Sequence, residues 1–381
     1  MLDVALIGGG LCGLALAHSL HARGLDWALF EARPRLGGRV LGTPHDTGLS
    51  IDLGPTWYWP ATQPSITRLI DDLGLPSVAQ ADDGRVWLLD DAGQPPRGVA
   101  FNPALGRPDE NCAPQPGALH GGARRLAGGM GALTDALAKR LPGARLHTGR
   151  ALRRLVDRGD HVELHFGGGS QPALLQRARR VVLALPPRLA LELIRFEPEL
   201  PAELQAAMAD TPTWMASAAK AALPCAQAAW HQQGQAGNAW VTHPQAVLAE
   251  SWDAGSADTP ALAGFIALPA SQRAPFARSL PVLLDSQVAM LWGAAAQPQQ
   301  ATVQDWADEP FTCSAADRAE DGRGGHPSYG DAALQGAQWQ HKLWFGGSET
   351  ARQGGGYLEG ALGAAARLRR DLAPALAHSA D

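Results

Sequence analysis

The sequence is short of lysine, cysteine and long apolar runs, and each shortage removes a class of function. Of 32 basic residues only three are lysines, at 139, 220 and 342, so each one merits inspection. The formal net charge of -5 offers no attraction to a polyanion. No basic stripe with interleaved aromatics occurs, so nucleic acid is not expected as a partner. The four cysteines (Cys12, Cys112, Cys225, Cys313) are too widely spaced for a CxxC or Cys/His metal pattern. No metal is expected, and the usage fits a reduced, cytoplasmic chain. There is no run of about 18 unbroken apolar residues, so no membrane span is expected. The apolar opening from Val4 to Leu20 follows Asp3 rather than a basic segment and is broken by four glycines, unlike a signal sequence.

The 381 residues, 45% hydrophobic and 18% charged, are more than one core usually supports, which predicts two domains. Residues 4–7 form the short continuous apolar run of a doubly buried parallel strand. Gly8-Gly9-Gly10-Leu11-Cys12-Gly13 follows, then helical apolar spacing over 14–23 with Gly24 as a stop. Residues 27–30 read as a second strand ending in Glu31. This is G-x-G-x-x-G in its required βαβ context. Gly8 permits the tight turn, Gly10 lets the backbone approach a pyrophosphate, and Gly13 lets helix and strand pack closely. The helix start faces phosphate charge, and Glu31 is placed to accept hydrogen bonds from a ribose diol. The motif alone does not choose between NAD and FAD.

The next residues do. Glu31-Ala32-Arg33-Pro34-Arg35-Leu36-Gly37-Gly38-Arg39 resembles the E-x-R-x-x-x-G-G-R extension of the flavin amine oxidase superfamily. Four further segments resemble that superfamily in order: 51–57 (Ile-Asp-Leu-Gly-Pro-Thr-Trp), 127–133 around Gly128-Gly129-Met130, 181–187 ending in Pro-Pro, and the closing pair 345–350 and 356–361. The likeness covers nearly the whole chain. It implies an α/β protein in which a Rossmann-like FAD-binding domain (1–75, 130–190, 335–381) interleaves with an α+β substrate domain (76–129, 191–334) built on an antiparallel sheet. Strands are expected over 145–166 and 179–185 in the first domain, and over 248–252 and 262–268 in the second. Residues 91–118 and 319–330, rich in Pro and Gly, are expected as surface loops.

The resemblance also implies roles. Arg33 and Arg39 would contact the FAD diphosphate, and Gly37 and Gly38 would track it outward from the ribose. Gly54, Pro55 and Thr56 would pass the flavin ring. Gly347, Ser348, Glu349 and Leu358 would close the site, Glu349 holding the ribityl or phosphate region. Leu11, Cys12, Ala32 and Leu152 complete the expected cofactor set. Tyr357 matches one wall of the aromatic cage that flanks the amine, Trp306 a tryptophan beside the flavin, and Trp57 and Trp59 follow the ring-passing loop. Lys220, among small apolar residues at 216–223, matches a strand lysine that holds water at flavin N5 and assists reoxidation by O2. Its alternative is an exposed lysine on an edge strand. Trp214, Trp240 and Trp292 are expected in the core.

Departures narrow the reading. Cys313 lies in Phe311-Thr312-Cys313-Ser314, not the Gly-Gly-Cys-Tyr context of covalent flavin attachment, so FAD is expected to be non-covalent. Trp57 stands where amino acid oxidases carry an arginine, which argues against carboxylated substrates. Tyr329 sits in an unmatched segment, leaving the second cage aromatic unassigned. The expected activity is oxidation of a small-molecule amine to an imine, with O2 reduced to hydrogen peroxide. A C–C desaturase or protoporphyrinogen-type oxidase, needing a wide apolar groove, is the enzymatic alternative. A flavin-free binding protein is the other, against which Arg39, Glu349 and Tyr357 argue.

Overall fold

The computed structural model describes residues 1–43, 49–167, 173–256, 258–322 and 325–377. Its first sheet grows from the buried opening strand. Leu2–Ile7 pairs in parallel with Trp27–Phe30 on one side and with the second half of Leu174–Leu183 on the other. Leu146–His147 extends the first side and Leu343–Phe345 the second, both in parallel. Val4, Leu6, Trp27, Leu29, Val181 and Leu183 have no solvent exposure, the burial that unbroken apolar strands require. Helices Leu11–His21, Pro64–Leu73, Gly131–Lys139 and Leu358–Ala377 cover one face.

The long strand Leu174–Leu183 changes partners halfway. Its first half pairs antiparallel with Val162–Phe166, which pairs with Leu152–Asp157, and Arg195–Glu197 closes that edge. The single stretch expected over 145–166 is therefore three strands divided by turns.

A second sheet has the order Thr302–Asp305, Ala219–Pro224, Ala261–Ile266, Leu248–Asp253, Ala239–Val241, Arg85–Leu89, Arg97–Asn102, Arg107–Pro108. Its pairings are antiparallel except that of Ala239–Val241 with Arg85–Leu89. Helix Leu280–Trp292 packs on it through Leu284, Val288 and Trp292. The Pro/Gly-rich stretch 91–118 thus is not all loop. Val99, Ala100 and Phe101 are buried inside it as a short continuous run, and they form the strand Arg97–Asn102 between its turns. Within 319–330, helix Ala315–Glu320 reaches into the expected loop, and the rest of the described residues there are irregular.

Candidate active site

A cavity of about 410 Å³ runs between the two sheets, within the range of small-molecule sites. At one end it is walled by backbone. Gly8 has φ +108°, and a Cβ there would lie 2.4 Å from the Ala184 carbonyl oxygen; a Cβ on Gly13 would lie 2.0 Å from that of Gly8. Those two glycines are demanded by the protein itself. Gly10 is different, because a Cβ there would meet nothing closer than 4.0 Å, at Gly37 and Gly38. The space it leaves is a cradle open to a ligand. Helix Leu11–His21 starts there with no acidic residue in its first turn and no side-chain cap, leaving its first N–H groups for an anion. Beside it, the buried Glu31 carboxylate accepts from the Gly9 and Arg33 amides at 2.7 and 2.9 Å, which aims it at the cradle's rim. Uncapped backbone N–H donors, a buried carboxylate at the rim and a glycine-lined gap fit a dinucleotide cofactor such as FAD.

Arg39 joins this end to the rest. It pairs with Glu349 at 2.6 Å, and donates to Ser348 Oγ at 3.0 Å and to the Trp214 carbonyl at 3.2 Å. Burial opposes its charge, but Glu349 more than offsets this and holds the guanidinium above its ordinary value. Glu349 is wholly buried beneath Arg39 rather than lining the cavity, so it orients the arginine. Arg33 lines the cavity, but its guanidinium donates to Glu309 and to Thr312 Oγ1, each at 2.6 Å, tying the loop after Trp27–Phe30 to the segment that follows Thr302–Asp305.

At the cavity's middle stands Lys220. It lies on an interior strand, opposite Phe265 on one side and Gln304 on the other, which rules out the edge-strand alternative. It is 3% exposed. Its Nζ donates to the Gly54 carbonyl at 2.7 Å and to Thr56 Oγ1 at 2.5 Å, clamping the loop expected to pass the flavin ring. The ammonium also sits 5.0 Å from the Trp252 ring and 5.6 Å from Phe265. An ammonium has three donors, so one remains beyond these two bonds. Burial lowers the Lys220 pKa to about 8, against the pull of Asp52 and Glu250. The same burial raises both carboxyls to about 7, with Lys220 opposing. Trp306, also buried, donates Nε1 to the Leu53 carbonyl at 2.9 Å and fixes the same loop from behind.

The far end is aromatic. Trp57 donates to Gln80 at 2.8 Å and packs 4.6 Å from Trp252. Trp59 donates to the His120 carbonyl at 2.7 Å, and its ring meets Tyr357 edge-on at 6.4 Å. Phe265, Trp214 and Met215 complete this wall.

Most expected site residues therefore share one cavity. Gly13 and Glu349 support it from outside, and Ala32 and Leu152 line a smaller adjoining recess of about 50 Å³. Cys12 Sγ accepts from the Gly347 amide at 3.4 Å; burial raises its thiol to about 11. Three tryptophan expectations divide. Trp292 is in the core, Trp240 is half-buried against Phe101, and Trp214 belongs to the cavity wall because Arg39 pulls its carbonyl inward. Sequence reasoning also missed Gln63, Phe265 and Met215, which line the cavity but carry no motif.

The profile of the flavin containing amine oxidoreductase family matches residues 11–104 and 116–368. Flavin-containing amine oxidase B of Homo sapiens is 42% identical over 73 residues, which is 19% of this chain and only 14% of the human protein. Among solved structures, putrescine oxidase in a wild-type complex with putrescine superposes with a TM-score of 0.75 at 20% identity, over 98% of this chain and 99% of its own. Cyclohexylamine oxidase from Brevibacterium oxydans gives 0.74 at 18% identity, over the same shares. At these identities the solved structures show a common fold, the amine oxidase fold. The family match spans most of the sequence, so the chain belongs to the flavin-containing amine oxidoreductases.

Proposed function

We propose that this protein is an FAD-dependent oxidase that converts an amine to an imine while reducing O2 to hydrogen peroxide. We also read the two sheets as its FAD and substrate domains, with Arg195–Glu197 added to the former. One observation carries the substrate class: at the aromatic end, the described lining residues include Trp57, Trp59, Trp214, Met215, Phe265 and Tyr357, with Lys220 beside them and Arg39 already paired with Glu349. That wall suits an apolar amine. The arginine that reaches it, Arg39, is engaged by Glu349, Ser348 and the Trp214 carbonyl, and the wall favours the uncharged amine, because desolvation penalises an ammonium and Lys220 repels one.

The bound flavin supplies a two-electron acceptor. Around it, the backbone at Gly10 and the helix start hold the phosphates, Glu31 holds the ribose, and Leu358 and Ala361 bring the start of the closing helix to the cavity. Lys220 fixes Gly54 and Thr56, and its remaining N–H holds a water and a positive charge where O2 gains electrons. Non-covalent attachment is supported at Cys313, which is buried outside the lining with its thiol raised by burial to about 11.

The purified protein is expected to be yellow, with FAD released intact by acid or heat. In anaerobic stopped-flow, a neutral or aromatic amine should reduce it faster than the matched α-carboxylated amine. The reverse ranking across several pairs overturns the substrate class, and flavin retained by denatured protein overturns the attachment.

A further inference from the structure

The aromatic wall contains a ring that no motif accounts for. The His326 imidazole lies 4.8 Å from the Tyr357 ring and within 4° of parallel to it. Its other contacts are Trp214, at 4.7 Å and 58°, and Tyr329, at 5.6 Å and 87°. His326 Nε2 is 3.0 Å from the Gly355 carbonyl oxygen, which only accepts, so Nε2 carries the proton. That bond ties the imidazole to the loop bearing Tyr357. Gly354 and Gly356 both have positive φ there, so the loop has little side-chain packing of its own to order it.

His326 also marks a boundary between two spaces. Its neighbours Gly325 and Pro327 line a second, outer cavity of about 390 Å³. Trp214, Met215 and Ala218 line both cavities, and Tyr357 lines the inner one alone. Those three shared residues form the partition, and the imidazole, which lines neither cavity, backs it, packed against two rings that come from distant parts of the chain. One face of Tyr357 is covered by this stack, which leaves its other face and edge for the inner cavity. Removing the imidazole would open a ring-sized space between Trp214 and Tyr357.

We propose that His326 is a positioning residue that sets the bulk of amine the site admits, by holding Trp214 and Tyr357 apart behind the partition between the two cavities. This rests on reading the inner cavity as the amine site. The test uses the flavin-loaded protein with His326→Ala, His326→Phe and His326→Trp. Tertiary-alkyl amines, which lack an α C–H and so cannot form an imine, are titrated against the visible flavin spectrum; tert-butylamine is the small probe and cumylamine the large one. The ratio of the two dissociation constants should move toward the large probe by at least about tenfold in His326→Ala, a change typical of a reshaped apolar pocket. His326→Phe, which keeps a stacking ring, should restore the wild-type ratio, and His326→Trp should move it the other way. If His326→Ala loses its flavin, the other two variants decide alone. An unchanged ratio in Ala and Trp, a Phe variant that behaves like Ala, or no spectral response to either amine overturns the proposal. A wild-type protein that oxidises no amine would overturn the oxidase reading instead, and the binding ratios would still decide the role of His326.

Discussion

The two ends of the cavity are built in opposite ways. The nucleotide end is made mostly of backbone from nearly contiguous residues, 8–13 and 31–39, and is shaped by glycines whose Cβ atoms would collide with main chain or fill a gap. The aromatic end is made of side chains from positions as far apart as Trp59, Lys220, His326 and Tyr357. A backbone site tolerates little change, because its donors are fixed by φ and ψ and one Cβ occupies the ligand's place. A side-chain site can change its rings without altering the path of the chain. On the proposed reading of the two ends, cofactor binding would thus be held rigid while substrate choice stays adjustable.

The sharpest way to break this comparison is at Gly10. Gly10→Ala should leave the apoprotein's melting temperature nearly unchanged, since its Cβ meets no atom within 4.0 Å. FAD affinity should fall by at least about 100-fold, equivalent to about 2.8 kcal/mol. Gly13→Ala should do the reverse first, destabilising the apoprotein, because its Cβ would stand 2.0 Å from the Gly8 carbonyl oxygen. Thermal melts with and without FAD, and flavin titration, check both. Equal behaviour of the two variants would mean that the gap at Gly10 is not the cofactor's.

Lys220 tests the middle of the cavity. Lys220→Met keeps the stem length and removes the charge. Reoxidation of reduced protein by O2 should slow by at least about tenfold, or about 1.4 kcal/mol of barrier, while anaerobic reduction changes much less. The pH dependence sharpens this. Burial lowers the lysine to about 8, so the cation is present below that pH and lost above it. Wild-type reoxidation should therefore decline as pH rises through about 8, and the Met variant should be slow and flat across the same range. Parallel slowing of both half-reactions would indicate damage to the loop at Gly54 and Thr56 instead.

The smallest effect concerns a contact between two helices on one face of the first sheet. Helix Pro64–Leu73 has no side-chain cap from its own Gln63. Instead the Glu359 carboxylate, one residue into the closing helix Leu358–Ala377, accepts from the Ser65 and Ile66 amides at 3.0 and 2.9 Å. Glu359→Ala should cost about 1 kcal/mol of stability, as loss of an N-cap does. FAD affinity should remain near wild type. Denaturant titration of the holoprotein reads the first and flavin titration the second; an unchanged midpoint would remove the capping role.

The sequence by itself determined the nucleotide end. The βαβ unit, the glycine spacing and Glu31 are local, and turn sterics and strand burial act over a few residues, so a short motif carries the whole instruction. It also placed a pair of antiparallel strands at 248–252 and 262–268, which the structure forms at Leu248–Asp253 and Ala261–Ile266. Only the tertiary structure decided which side chains meet at the aromatic end. Nothing local to Trp214 distinguishes a wall residue from a core residue; the Arg39 hydrogen bond to its carbonyl does. Arg33, read as a phosphate ligand, is held by Glu309, 276 positions away. His326 stood in a segment without a recognisable pattern, and its role depends on a stack with a ring 31 residues on in sequence and a wedge against another 112 residues back. Such contacts have no periodicity to leave in a sequence, because they are set by how two sheets close on each other.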